Sequence, residues 1–222
     1  MGTPLSREEP ASEYGECDAS SESFQEACIA GLMAGALLNR GLRPTMVSSI
    51  VPIKARKARQ LYREIYGRGP TSGQHPQNVM HYLVNDHYSM LASMAATLYM
   101  RQRANQPSDG VDPGILIRVH DLLEPTIKTA PYYRNLASQH GELICMLYFV
   151  ARDLYTRVAE MTRCRTCGAT HIIHQQARHL YVDTNCPYCR VTRTLGLSEN
   201  SEVTRLPPVA KRAVETRLRA SA

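Results

Sequence analysis

Cys164-Arg-Thr-Cys167 and Cys186-Pro-Tyr-Cys189 are two C-x-x-C pairs with 18 residues between them. Each pair turns two thiols toward one side of a cation, and the intervening loop is long enough for one small hairpin to return the second pair. The spacing predicts a tetrahedral four-thiolate site holding one Zn2+ per chain. A closed shell of this kind leaves no coordination position for water or substrate, so its expected task is structural, which points toward a binding protein.

Composition narrows the rest. A chain of 222 residues, 43% of them hydrophobic, fits one compact domain or two small ones. The N-terminus has no basic segment followed by an apolar run. The longest apolar stretch, Ala27 to Leu38, contains Gly31 and Gly35 and is too short to span a bilayer. A soluble, cytoplasmic protein with no membrane partner is expected. Cys17, Cys28 and Cys145 are scattered, which suits a reducing compartment with one metal site better than a disulfide scaffold.

Charge is segregated along the chain, whose net formal value is +6. Residues 1–26 hold seven acids against Arg7 and read as an acidic flexible tail. Residues 40–68 carry eight cations against Glu64, and residues 163–222 carry ten against four acids, before a zinc–thiolate cluster subtracts about two. Two separate basic regions point to a polyanionic partner.

Periodicity predicts a mainly α fold. Phe24 to Asn39 reads as a helix with small residues on one face, closed by Gly41. Pro44 starts a short helix through Ile50, Val51-Pro52 breaks it, and Lys54 to Tyr66 forms a second helix ended by Gly67. Longer helices are expected from Gln77 to Asn105, from Pro113 to an interruption at Pro125, and from Tyr133 to Met161. Short strands are expected at Thr170 to Ile173 and Leu180 to Val182, with a possible terminal helix from Val209. The organisation is thus an acidic tail (1–26), a helix-turn-helix region (27–73), a helical body (74–162), a four-cysteine zinc ribbon with short β-strands (163–197) and a basic C-terminal tail (198–222).

Two other chemistries share these motifs. Cys186-Pro-Tyr-Cys189 matches the glutaredoxin active-site tetrapeptide, but that motif follows the first strand of an α/β domain, and too little chain remains after Cys189 to complete one. His140-Gly-Glu142 ahead of Cys164-x-x-Cys167 has the look of a zinc deaminase. Yet Arg163 stands where such enzymes have proline, and Cys186 and Cys189 would be left unexplained. No catalytic residue is assigned, and the chain reads as a non-enzyme. His171 and His174 are expected to be strand or supporting residues, because four thiolates already close the shell.

Lys54 to Tyr66 places Ala58, Leu61, Tyr62 and Ile65 on one face and Arg56, Lys57, Arg59, Gln60 and Arg63 on the other. A short helix and a tight turn precede it, the order of a helix-turn-helix. In such a motif Arg56, Lys57 and Gln60 would reach base edges in the major groove, while Arg59 and Arg63 would hold phosphates, and Lys54 at the helix start is a further DNA-binding candidate. The competing reading is a zinc-ribbon interaction module whose cations meet RNA or an acidic protein.

Val47-Ser-Ser-Ile50, Ala58-Arg-Gln-Leu-Tyr-Arg-Glu-Ile65 and Gly67-Arg-Gly-Pro70, then His87-Tyr-Ser89, and finally the cysteine pairs with Gly168 and Ile172-Ile173-His174 occur in an order that resembles the flagellar transcriptional activator FlhC family over roughly residues 27–195. The resemblance implies a zinc-containing DNA-binding subunit in a heterohexamer of two FlhC and four FlhD. It implies activation of flagellar operons at promoter DNA with RNA polymerase, and zinc ligands Cys164, Cys167, Cys186 and Cys189. The chain differs from familiar members in having no tryptophan, with Asn78 and Tyr82 at the corresponding places, and in a longer acidic N-terminus and inter-pair loop.

Overall fold

An unbroken run from Leu143 to Ala151 is buried on every side, so the helix that carries it sits at the centre of the fold rather than on its surface. The computed structural model describes residues 18–70, 76–106, 108–176 and 186–195. In chain order it contains α1 (Asp18–Asn39), α2 (Pro44–Ile50), α3 (Ala55–Tyr66), α4 (Met80–Leu83), α5 (Asp86–Asn105) and α6 (Pro113–Thr129). A 3-10 turn (Pro131–Tyr133), α7 (Arg134–Ser138), α8 (Glu142–Tyr155), β1 (Ala159–Arg163), β2 (Thr170–His174) and α9 (Pro187–Thr194) follow. The described residues are mainly helical, with one two-stranded antiparallel sheet among them. The central α8 packs against α5 and α6, and the C-terminal half of α1 closes the core with Ala34, Leu37 and Leu38. Among the described residues, no helix is long and apolar enough to cross a membrane.

Several expected helices are cut or extended for local reasons. The stripe read as one helix over 77–105 is broken after Leu83, because the Asn85 side chain accepts hydrogen bonds from the His87 and Tyr88 amides and starts α5 afresh. Asn85→Ala is expected to cost about 1 kcal/mol. A thermal melt should show it as a fall of about 2–4 °C. Pro125 does not interrupt α6. It removes one amide from the ladder, but Leu123 and Ile127 on either side are buried and hold the helix together.

The helix expected from Tyr133 to Met161 is shorter and divided. Gly141, at φ +86°, separates α7 from α8, and the left-handed Arg157, at φ +59°, ends the helical path before β1. At the other end of the molecule α1 already begins at Asp18, so residues 18–26 are helical rather than part of a tail. The expected strand at 180–182, residues 198–222 and the acids before Asp18 lie outside the described residues.

Asp153 is a buried acid. The Asp153 side chain, in a residue only 1% exposed, accepts from the Val79 amide at 2.8 Å and from Arg152 at 2.7 and 2.9 Å. These bonds replace the water it has lost. Arg152 also lies over the Phe149 ring, 4.9 Å from its centroid, so the pair ties the segment entering α4 to the central helix.

Candidate metal centre

β1 and β2 form a hairpin in register from Ala159 opposite His174 to Arg163 opposite Thr170, and its connecting turn carries the first cysteine pair. Gly168, at φ +75°, lets the turn close: its amide donates to the Cys164 carbonyl at 3.0 Å, and the Cys164 amide donates to Ala169 at 2.8 Å. The Thr166 and Cys167 amides point at Cys164 Sγ from 3.4 and 3.5 Å. The second pair, like the first, was expected to present its thiols from a tight turn. Instead Cys186 is the N-cap of α9, Pro187 occupies its first position, and Cys189 follows in its first turn. The start of the helix therefore places both thiols beside its first turn.

The four sulfurs lie within 4.8 Å of one another. Cys164 Sγ is 3.8 Å from Cys189 Sγ, and Cys167 Sγ is 3.6 Å from Cys186 Sγ. Sulfurs held at about 2.3 Å from a central ion stand about 3.8 Å apart along the edges of a tetrahedron, whereas a disulfide requires about 2.05 Å. The thiols fit a common cation, and these short approaches join one motif to the other. That is the opposite of a redox C-x-x-C, where the partners belong to the same motif.

Hydrogen bonding and burial divide the four thiols. The Cys167 amide, helped by that of Thr166, lowers the Cys164 pKa to about 6. Burial raises Cys189 to about 12, with further upward pull from hydrogen bonds to Cys167 and Cys164, and burial also raises Cys186. A bound cation would displace the protons these thiols retain.

No protein-family model matches the chain, and no curated protein matches it.

The site is built into the helical body. The Ile172 amide donates to Ser93 Oγ of α5 at 3.2 Å, and Arg190 of α9 pairs with Asp86 at the start of α5 at 3.0 Å. His171 and His174 are buried on β2, and among the described residues the ligand cluster contains only the four cysteines. Glu142 is engaged elsewhere, accepting from the Tyr82 hydroxyl at 2.8 Å, and His140 Nε2 lies 2.8 Å from the Tyr66 hydroxyl.

The basic helix is a second candidate surface. α2 and α3 are separated by residues 51–54, and Lys54 is the N-cap of α3. Ala58 is buried, and Leu61, Tyr62 and Ile65 pack on the core. Lys54, Arg56, Lys57, Arg59, Gln60 and Arg63 are all exposed, and none of the five cations makes a salt bridge among the described residues. Gln60 donates to Glu64 at 2.8 Å.

The sequence reading missed the helical placement of Cys186 and Cys189. Its signal was present, since proline favours the first position of a helix.

Proposed function

We propose that the chain is a zinc-stabilised DNA-binding regulator in which α2 and α3 act as a helix-turn-helix. The observation that carries this reading is the outer surface of α3, where five cations without a salt bridge among the described residues and Gln60 project from a helix whose other face is held on the core. Arg56, Lys57 and Gln60 then face base edges, with Gln60 exchanging its bond to Glu64 for one to a base, and Lys54, Arg59 and Arg63 hold phosphates. Zn2+ in the four-thiolate site supplies a cross-link between hairpin and helix, and the role is non-catalytic. The resemblance to FlhC extends the proposal to a cytoplasmic activator of flagellar operons that works with an FlhD-type subunit and RNA polymerase.

Fluorescence anisotropy with a promoter duplex, with and without an FlhD-type subunit, tests the DNA reading. Affinity should fall linearly with salt on logarithmic axes. Arg59→Ala and Arg63→Ala should each flatten the slope by about 1, while Arg56→Ala should cost about 1–3 kcal/mol on the preferred site alone. Salt-insensitive binding, or equal competition by single-stranded RNA, would overturn the proposal in favour of the interaction-module reading.

A further inference from the structure

A cavity of about 290 Å³ opens beside the crossing of Gly41 and Gly141, between the end of α1, α6 and the loop joining α7 to α8. Its size is that of a small-molecule site at the lower end of the range. Ile127, Leu136 and Leu143 give it an apolar side, and none of its residues belongs to the metal centre or to α3.

Hydrogen bonding fixes what the cavity offers. Arg40 donates to the two Asp121 oxygens at 2.9 and 2.8 Å and to the Ala36 carbonyl at 2.9 Å, and it holds the Asp121 carboxyl below its usual range. The ionised Asp121 accepts from His120 Nδ1 at 3.1 Å. Burial pushes the His120 pKa down, so the ring is neutral, with its proton on Nδ1 and a bare lone pair on Nε2. His120 is only 7% exposed, and among the described residues its Nε2 has no partner. An acceptor in so buried a ring calls for a donor.

His140 adds a second acceptor. The Tyr66 hydroxyl gives its one proton to the Leu38 carbonyl at 2.7 Å, so His140 Nε2, 2.8 Å from that oxygen, is the donor and Nδ1 is left bare. Glu124 stands one turn after His120 on α6, on the same face, and Lys128 holds its carboxylate at 3.0 Å. That pair is exposed, so Lys128 is readily exchanged for another cation. Asn39 and Gln139 also line the cavity, and their amides serve either a donor or an acceptor. Water would satisfy the lone pairs but makes no use of the apolar side.

We propose that this cavity binds a small primary amine in its ammonium form. The three N–H groups reach His120 Nε2, the Glu124 carboxylate and His140, and the hydrocarbon body lies along Ile127, Leu136 and Leu143. A carboxylate of the same size is disfavoured, because it would meet two bare lone pairs and Glu124 and would have to draw Arg40 away from Asp121. A metal ion is a poorer fit, since among the described residues only the four cysteines gather closely enough to ligate one.

The proposal is independent of the DNA reading and is tested without nucleic acid. The probe is n-pentylamine, with pentanoate and n-pentanol as anionic and neutral counterparts of the same body. Each is titrated into the zinc-replete full chain at about pH 8, where the amine keeps its proton and the imidazoles do not. Calorimetry should show saturable pentylamine binding with a dissociation constant of about 1 mM or tighter, and binding of either counterpart weaker by about tenfold or more. Long-range proton–nitrogen correlation spectra report the ring directly: His120 Nε2 should move from the position of a bare imidazole nitrogen toward that of a hydrogen-bonded one. Glu124→Gln keeps the side-chain shape at an exposed position, so the fold persists, and it should weaken pentylamine binding by about tenfold or more. Absence of saturable pentylamine binding, equal binding of pentanoate, an unresponsive His120 ring, or wild-type affinity in Glu124→Gln would each overturn the proposal.

Discussion

Cys186→Ser is expected to yield a metal-free chain whose melting temperature is lower by about 10–20 °C. Loss of a structural metal belongs among the few single changes that cost more than about 4 kcal/mol, and for a protein of this size each kcal/mol moves the melting temperature by about 2–4 °C. Cys186 is buried at the N-cap of α9, so its replacement removes a ligand at the joint between helix and hairpin, while a serine hydroxyl can still cap the helix. The helical body should persist, because its core of α1, α5, α6 and α8 contains none of the four ligand cysteines. Metal analysis and thermal melts followed by far-ultraviolet circular dichroism are the measurements. Cys28→Ser, remote from the cluster, serves as the control and should retain about one zinc per chain. The zinc assignment fails if Cys186→Ser still carries stoichiometric metal, or if the wild-type chain is folded and metal-free after growth in zinc-replete medium.

Removing the metal with a chelator should reproduce the same partial loss. Ligand thiols must give up their protons to bind, so reloading should release protons and weaken as the solution is made acidic. The hydrogen bond from β2 to Ser93 and the ion pair between Arg190 and Asp86 remain available without metal. The hairpin is therefore expected to stay attached to α5 while its cysteine-bearing turn loosens.

The four ligands were legible because thiol spacing is written directly in the chain. The cross-motif approaches, Cys164 to Cys189 and Cys167 to Cys186, were not, since they depend on how hairpin and helix meet in space. The same division runs through the fold. Both ends of α2 and α3 are marked by residues with strong backbone preferences, Pro44, Pro52 and Gly67, and the structure follows them closely. Apolar periodicity alone did not find the break at Asn85, because the stripe continues across it and only a side-chain cap restarts the helix. It also carried the last helix through to Met161, where Arg157 turns the backbone and the same apolar residues serve a strand. Pro125 misled in the other direction, since burial on both sides outweighs one lost hydrogen bond.

Gly41→Ala is expected to destabilise the protein by about 3–5 kcal/mol, against about 1 kcal/mol for Gly67→Ala. Both glycines have positive φ, +88° and +64°, so both substitutions pay a left-handed backbone penalty. Only Gly41 pays more. A methyl group there would collide with Gly141 Cα and stand 2.8 Å from Gly141 N, whereas at Gly67 it would meet nothing within 4 Å. The obstacle is backbone, which cannot swing aside as a side chain would, so the loop after α1 and the loop before α8 must part. That crossing also holds α3: the Tyr66 hydroxyl contacts both the Leu38 carbonyl and His140, one residue from each glycine loop. Gly41→Ala should therefore weaken duplex binding beyond what its melting temperature explains, while Gly67→Ala leaves it near wild type. Chemical denaturation measures the stability difference, and equal losses for the two variants would contradict the close crossing of the loops.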